Sequence, residues 1–250
     1  QGCVEKGIDR TTADAMWKKF EYFSGYGFNK SHAVSYSILS YQCAWLYYYY
    51  PECWAAAFLD KEPESRKEAA VNLVQQYGFR VQKVDVNKST QQWEISEGNT
   101  LIQPLSSIKG LGDKAIEQIL NNRPFNTPEE LLFNESVVYS KLNKKALQAM
   151  AESGALDSLV DERFTGLKHF ILSCVDNRPK TKKKLLSHID EFRTAEDYSP
   201  EERIEHISSR TGIYPFDLVI TQEIRNAIDH YKVPPLGNWD HDLKAAWFIP

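Results

Sequence analysis

Length, charge and cysteine content exclude several classes of protein. The chain has 250 residues and a net charge of −4, so it can hold about two or three modest cores and is not a generally basic nucleic-acid-binding protein. Its cysteines show neither a C-x-x-C pair nor zinc spacing, and we expect Cys43 and Cys53 to be buried free thiols in a protein of the reducing cytoplasm. We expect no membrane span, because Ser40 and Gln42 interrupt the longest apolar helix and Pro51 stops it.

The first predicted element is an amphipathic helix within residues 1–23. Its apolar face is formed by residues at helical spacing: Ala15, Met16, Phe20 and Phe23. A polar, glycine-containing stretch follows this helix. We therefore expect a second helix to begin after that stretch.

The second helix, predicted for about residues 31–49, begins with residues that suit an anion. Asn29 is a good N-cap residue, and unpaired amides and the positive helix end favour a negative group beside the first turn. Three side chains that suit a phosphate follow the cap: Lys30, Ser31 and His32. Tyr36 shares a helix face with His32. The pattern alone indicates an anion-friendly helix start, and a solvated lysine beside a packing histidine gives the same pattern.

The pattern changes after Gly78. Helices are predicted for about residues 52–59 and 64–77, the latter with an apolar stripe of Ala69, Ala70, Leu73 and Val74. Short strands are then predicted within residues 78–107, with a turn at Gly98 and Asn99. Asp85 lies in this segment, but no second carboxylate is placed to support catalysis. We assign no catalytic and no metal-binding residue to the chain.

A glycine hairpin leads directly into the next helix. Gly110 and Gly112 flank Leu111, which we expect to anchor the turn in the core. The glycines permit a tight turn and let backbone amides approach a phosphate, while Lys109 and Lys114 supply positive charge. This segment resembles the hairpin of helix-hairpin-helix motifs, which hold the DNA backbone without reading bases. The alternative is an ordinary glycine turn before a helix.

The segment after the hairpin carries a second, weaker repeat. A helix capped by Asn126 or Thr127 is predicted first, with Pro128 in its first turn, and a second helix covers about residues 142–153 and ends at Gly154. Two lysines at the start of that second helix are candidate phosphate contacts or members of a solvated face: Lys144 and Lys145.

Beyond residue 160 the predicted elements are helical. One helix is expected over residues 163–175. A basic run around residues 178–184 and an acidic span over residues 190–205 are typical of linkers or solvated faces.

Several strings in residues 25–51 resemble the fingers domain of bacterial C-family replicative DNA polymerases. They are Gly25-Tyr-Gly-Phe-Asn-Lys-Ser-His-Ala33, Tyr36, Ser40-Tyr-Gln42, Ala44-Trp-Leu46 and Tyr50-Pro51. In that family the fingers helix faces the incoming nucleotide. The resemblance therefore implies dNTP triphosphate contacts for Lys30, Ser31, His32 and Tyr36. The glycine hairpin and the second repeat also stand where the family carries its tandem helix-hairpin-helix, which implies duplex binding by Lys109 to Gly112, Lys114, Lys144 and Lys145.

The resemblance implies a mainly α chain with a small β insertion that is part of a larger DNA-directed DNA polymerase. Its expected parts are distal fingers (1–77), a small β element (78–107), a tandem helix-hairpin-helix (108–160) and a helical linker (161–250) leading towards an absent OB domain. Expected partners are primer-template duplex, dNTP and the remainder of the polymerase, whose palm carboxylates would bind Mg²⁺. No convincing sliding-clamp motif stands between Arg178 and Tyr198. The alternatives are a free-standing helix-hairpin-helix DNA-binding protein and a protein-interaction scaffold of the replisome.

Overall fold

The computed structural model describes residues 2–26, 29–220 and 222–233. Gly27 and Phe28 of the fingers-like string, and residues 234–250 of the predicted linker, lie outside the described residues. The chain divides into two compact units, residues 1–55 and 56–250. Within the described ranges, no helix is long and apolar enough to cross a membrane.

The first unit is helical. Its helices are Gly2–Glu5 (α1), Arg10–Tyr26 (α2) and Lys30–Tyr49 (α3), and Pro51–Lys61 (α4) begins in this unit and ends in the second. Asp9 caps α2 by accepting the Thr12 N–H at 3.0 Å. Almost every side chain of α2 and α3 is exposed, including the predicted apolar face of Met16, Phe20 and Phe23.

The expectation that Cys43 and Cys53 are buried is wrong, because both thiols are exposed. Cys43 lies on α3, which buries none of its residues. Cys53 shares a face of α4 with the exposed Ala57, whereas Ala55 and Leu59 form the buried face of that helix. Apolar character along a helix does not decide which of its faces another element covers.

The second unit contains the remaining helices and the strands. Its described helices are Lys67–Gln76 (α5), Asp113–Asn122 (α6), Pro128–Leu132 (α7), Lys144–Glu152 (α8), Leu167–Phe170 (α9), Lys182–Glu191 (α10), Pro200–Thr211 (α11), Phe216–Val219 (α12) and Gln222–Tyr231 (α13). A wider, π-helical segment, Ile171–Asp176, continues α9. The prediction of a mainly helical chain with a small β insertion is confirmed.

The β insertion is a three-stranded sheet. Its strands are Arg80–Gln82 (β1), Glu94–Ser96 (β2) and Thr100–Ile102 (β3). β3 is central, parallel to β1 and antiparallel to β2, with Leu101 opposite both Val81 and Ile95. Gly98 and Asn99 adopt left-handed backbone with φ of 67° and 56°, which confirms the predicted turn between β2 and β3.

One buried apolar cluster positions both hairpin segments predicted from the sequence. It extends along the sequence from Val84 to Ile189 and includes Phe125, Leu131 and Met150 among its fully buried side chains. Local signals set the helix starts around this core. Thr127 caps α7 with Pro128 in the first turn, and Asn143 caps α8 by accepting the Ala146 N–H at 3.0 Å.

The helix predicted from residue 163 begins at Leu167 instead. Arg163 lies before the helix, and its guanidinium binds Glu129 of α7 and Asp161. Thr165 is also held outside the helix, since its N–H donates to His169 Nδ1 at 3.0 Å.

Candidate nucleic-acid interface

The start of α3 is organised by Asn29. Its side-chain oxygen accepts the Ser31 N–H at 3.1 Å, the His32 N–H at 3.5 Å and the Ser31 hydroxyl at 2.6 Å. This arrangement is the N-cap that the sequence predicts. The cap occupies two of the first-turn amides, so an anion at this helix start would meet mainly side chains.

The four side chains of the predicted triphosphate site lie on the first two turns of α3, and all are exposed. The His32 and Tyr36 rings pack against each other with centroids 4.3 Å apart, as their spacing of four residues predicts. The first turn carries no acidic side chain that would offset the positive charge of Lys30. The turn therefore offers an ammonium group beside a paired imidazole and phenol, while the Ser31 hydroxyl donates to the Asn29 cap.

The first hairpin, residues 108–112, has the geometry of a backbone-presenting turn. The Leu111 N–H donates to the Ile108 carbonyl at 3.0 Å, and Leu111 is buried with 7% exposure, as expected. Gly110 has φ of +98°, a conformation that L side chains rarely adopt. Gly112 is the N-cap of α6 and accepts the Ala115 N–H at 2.8 Å through its carbonyl.

The outer face of this hairpin is open. Gly110 and Gly112 are exposed, and among the described residues neither N–H donates to a protein acceptor. A Cβ built on Gly112 would meet nothing within 4 Å. Lys109 and Lys114 are exposed beside the glycines. The hairpin thus presents backbone donors and two ammonium groups at the N-terminal end of α6, with the exposed Asp113 carboxylate beside them in the first turn. Open amides at a helix N-terminus suit a phosphate.

The second hairpin, residues 153–156, is built differently. All its residues are buried, and its amides are used within the protein: Gly154 donates to Ala151 and Ala155 donates to Met150. The Ala155 carbonyl accepts the Val86 N–H at 2.9 Å. This turn is part of the core and presents no backbone to solvent.

The lysines of the second repeat also differ from each other. Lys144 forms an ion pair with Asp176 at 3.0 Å and donates to the carbonyl of the same residue, so its charge is balanced within the protein. Lys145 is exposed on the next position of α8. Lys145 is therefore the more available cation for a polyanion.

Asp85, which lies three residues after the end of β1, has a structural role. Its carboxylate accepts the Asn87 N–H at 2.8 Å and the Lys88 N–H at 3.2 Å, forming a local turn. The Asn87 amide in turn bonds both the N–H and the carbonyl of Phe125, at 2.8 and 2.7 Å. These bonds fasten the loop after β1 to the chain that leads into α7.

An ion-pair cluster centred on Arg163 joins the second repeat to its surroundings. The guanidinium binds Glu129 with two bonds of 2.6 and 3.0 Å and Asp161 with bonds of 2.6 to 3.1 Å. Hydrogen bonds from Arg163 lower the pKa of both carboxyl groups, and these bonds raise the pKa of Arg163 in turn.

Sequence inspection missed one residue that touches the first hairpin. Arg210, near the end of α11, exchanges hydrogen bonds with Lys109: the Lys109 N–H donates to the Arg210 carbonyl at 2.8 Å, and Arg210 Nη1 donates to the Lys109 carbonyl at 3.1 Å. No local pattern could have identified this contact, since the two residues are far apart in sequence.

The described residues do not fit a metal-binding role. Across residues 2–26, 29–220 and 222–233, no group of three or more His, Cys, Asp and Glu side chains is placed to hold a metal ion.

Comparison with known proteins defines the class of the hairpin segment. A family model described as the helix-hairpin-helix motif matches residues 78–166, which include both hairpins. The exposed first hairpin and the buried second one both lie within the residues that this model matches.

Several relatives of the chain carry the name DNA polymerase III subunit alpha. The chain is 35% identical over 167 residues to that of Xylella fastidiosa strain 9a5c, 34% over 164 residues to that of Pseudomonas aeruginosa and 34% over 192 residues to that of Borreliella burgdorferi. These matches cover 64–74% of the chain but only 14–16% of each relative. The chain is therefore a homologue of part of the DNA polymerase III alpha subunit, which confirms the resemblance seen in its motifs.

Proposed function

We propose that this chain is the distal-fingers and helix-hairpin-helix segment of a DNA-directed DNA polymerase, and that the first hairpin holds the backbone of duplex DNA. The observation that carries the proposal is the exposed pair Gly110 and Gly112, whose amides have no acceptor among the described residues. The homology to DNA polymerase III alpha subunits supports the same assignment.

The expected binding is weak and independent of sequence. Contacts from backbone amides and lysines reach phosphates and carry no base information. Lys109 and Lys114 flank the open amides, and the net charge of the whole chain is −4. We expect a log–log salt slope on the order of −2 to −4, because each neutralised phosphate contributes about 0.9.

Gly112→Val tests duplex binding by the hairpin. The backbone at Gly112 has φ of −85°, and a Cβ there meets open space, so the variant should fold while its side chain blocks the approach of a phosphate. Gly25→Val is a matched control, since a Cβ at Gly25 also meets nothing within 4 Å.

The readout is fluorescence anisotropy with a labelled duplex, with helical content measured by circular dichroism. We expect Gly112→Val to abolish detectable binding and Gly25→Val to bind as the parent does. A folded Gly112→Val protein with parental affinity would show that the hairpin does not hold DNA.

The start of α3 is proposed to contact the triphosphate of the incoming dNTP through Lys30, Ser31, His32 and Tyr36. These side chains are exposed and share the first two turns, and the Asn29 cap leaves the contact to side chains more than to amides. Loss of a charge-assisted contact from Lys30 costs about 1.5–3 kcal/mol, or roughly ten- to a hundredfold in catalytic efficiency.

Lys30→Ala in the complete polymerase tests this contact. We expect kcat/KM for dNTP to fall in that range while primer-template affinity hardly changes, with His32→Ala acting in the same direction. A melting curve for each variant separates this outcome from loss of packing. Normal dNTP kinetics for Lys30→Ala would contradict the triphosphate contact.

Catalysis itself is assigned to residues outside this chain. The described residues hold no carboxylate group suited to a metal, and we therefore propose that the isolated chain does not polymerise. Primer extension by the purified chain, retained after removal of contaminating polymerase, would contradict this. The remainder of the polymerase is its proposed partner, and a sliding clamp is not assigned a site here.

A further inference from the structure

We propose that Arg210 is a positioning residue that holds the first hairpin in its DNA-binding conformation, so that the grip on the duplex depends on α11. This inference rests on the proposed duplex binding by the hairpin. α11 spans Pro200–Thr211 and lies beyond the segment matched by the helix-hairpin-helix family, residues 78–166. The motif would therefore depend on a helix that does not belong to it.

The contact between Arg210 and the hairpin is two-sided. The Arg210 carbonyl accepts the Lys109 N–H at 2.8 Å, and its Nη1 returns a bond to the Lys109 carbonyl at 3.1 Å. Nη1 also lies 3.3 Å from where a Cβ of Gly110 would stand. Both polar backbone groups of Lys109 are thus fixed immediately before the left-handed Gly110.

The guanidinium is held on its other side by the second repeat. Arg210 Nε and Nη2 each approach Glu152 Oε2 of α8 at 2.6 Å, and the two side chains are only 29% and 14% exposed. Charge-assisted bonds between partly buried groups fix a side chain better than bonds at the open surface do. Arg210 therefore links the exposed hairpin to the helix that precedes the buried one.

The C-terminal end of α11, which carries Arg210, is itself held in place by buried residues and caps. Ile207 and Thr211 are buried, and the Thr211 hydroxyl donates to the Ile207 carbonyl at 2.8 Å. Gly212 terminates the helix with left-handed backbone and returns its N–H to the Ser208 carbonyl. At the other end, Ser199 and Glu202 form a reciprocal cap.

Arg203 offers a matched control on the same helix. It binds Asp157 at 3.1 and 3.2 Å and is 16% exposed, so its loss also removes a partly buried ion pair. Asp157 stands beside the buried second hairpin rather than the exposed one. Arg203→Gln should therefore remove an ion pair from the same helix without disturbing residues 108–112.

The test compares Arg210→Gln, Arg210→Lys and Arg203→Gln in the chain as it stands. Amide hydrogen exchange at Lys109 to Gly112, measured without DNA, reports the hairpin conformation, and anisotropy with a labelled duplex reports its function. For Arg210→Gln we expect faster exchange at Lys109 and about tenfold weaker binding, as follows if the competent conformation falls to roughly a tenth of the population. Arg203→Gln should change neither readout more than about twofold.

Arg210→Lys separates positioning from charge. Lysine keeps the positive charge but cannot form the planar contact with Glu152 and Lys109, so we expect it to behave like Arg210→Gln. Parental affinity in Arg210→Lys would overturn the proposal, since charge alone would then account for the effect. Unchanged Lys109 exchange in Arg210→Gln would also overturn it.

Two further measurements keep the test decisive. If Arg210→Gln does not fold, Glu152→Gln loosens the same guanidinium from the opposite side and should shift exchange in the same direction. If Gly112→Val binds DNA as the parent does, duplex binding by the hairpin is wrong, while the exchange data without DNA still decide whether Arg210 holds the turn.

Discussion

Alanine at Gly110 should lower stability more than alanine at Gly112 does, whereas alanine at Gly112 should weaken DNA binding more. Gly110 has φ of +98°, and a Cβ there would lie 3.3 Å from Arg210 Nη1 and 3.5 Å from Ala149 Cβ. Gly112 has φ of −85° and open space around the position of a Cβ. The two substitutions add the same methyl group two residues apart on one hairpin.

The size of the stability difference between the two variants follows from their backbone conformations. An L residue in the left-handed region costs about 1–2 kcal/mol, and the close Arg210 contact adds to it. At Gly112 the loss of unfolded-state freedom stabilises by about 0.4–1 kcal/mol, which roughly offsets the poorer N-cap that alanine makes. Gly110→Ala should therefore lower the free energy of unfolding by about 1–2 kcal/mol relative to Gly112→Ala, or Tm by about 2–8 °C.

At temperatures where both variants are folded, Gly112→Ala should bind DNA more weakly than Gly110→Ala. The methyl group of Gly112→Ala points into open space on the hairpin that we propose to hold the phosphate, whereas that of Gly110→Ala faces Arg210 and Ala149. Thermal denaturation followed by circular dichroism and duplex anisotropy at 20 °C give the two rankings. Equal Tm values, or stronger binding by Gly112→Ala than by Gly110→Ala, would refute this account of the hairpin.

The ion-pair cluster and the cysteines give further predictions. Because Arg163 holds the pKa of Glu129 and Asp161 below their ordinary values of 4.5 and 3.8, the pair stabilises the fold above those values and loses this contribution as pH falls through the lowered ones. Arg163→Gln should lower the free energy of unfolding at pH 7 by on the order of 1 kcal/mol and flatten its decline below about pH 5, measured by urea titration; an unchanged acid slope would argue against the cluster. Burial raises the pKa of Cys174, so that thiol should react with DTNB only after unfolding, while the exposed thiols react in the native chain: Cys3, Cys43 and Cys53. Native reactivity of Cys174 would contradict its burial.

Features with a local cause were predictable from the sequence. The caps at Asn29 and Thr127, the turn at Gly98 and the anchor at Leu111 each depend on residue types within a few positions of one another. Backbone sterics and orphan amides impose these choices wherever the chain is placed.

Features that depend on packing between distant segments were not predictable. The apolar stripe predicted for α5 included Ala69 and Leu73, but the buried face is Ala70, Val71 and Val74. Periodicity identifies an apolar helix, while the neighbouring elements decide which part of it is covered. The contact between Arg210 and Lys109 has the same origin, because α11 is placed by the core and not by the motif it touches.

The burial of the second hairpin limits the valency of the motif toward DNA. The first hairpin presents open amides, while the amides of the second hairpin form hydrogen bonds inside the core. A single point of attachment gains no avidity from its neighbour, so we expect rapid dissociation and little resistance to translocation along the duplex. The duplex contact that we propose would therefore follow the DNA backbone without arresting movement along it.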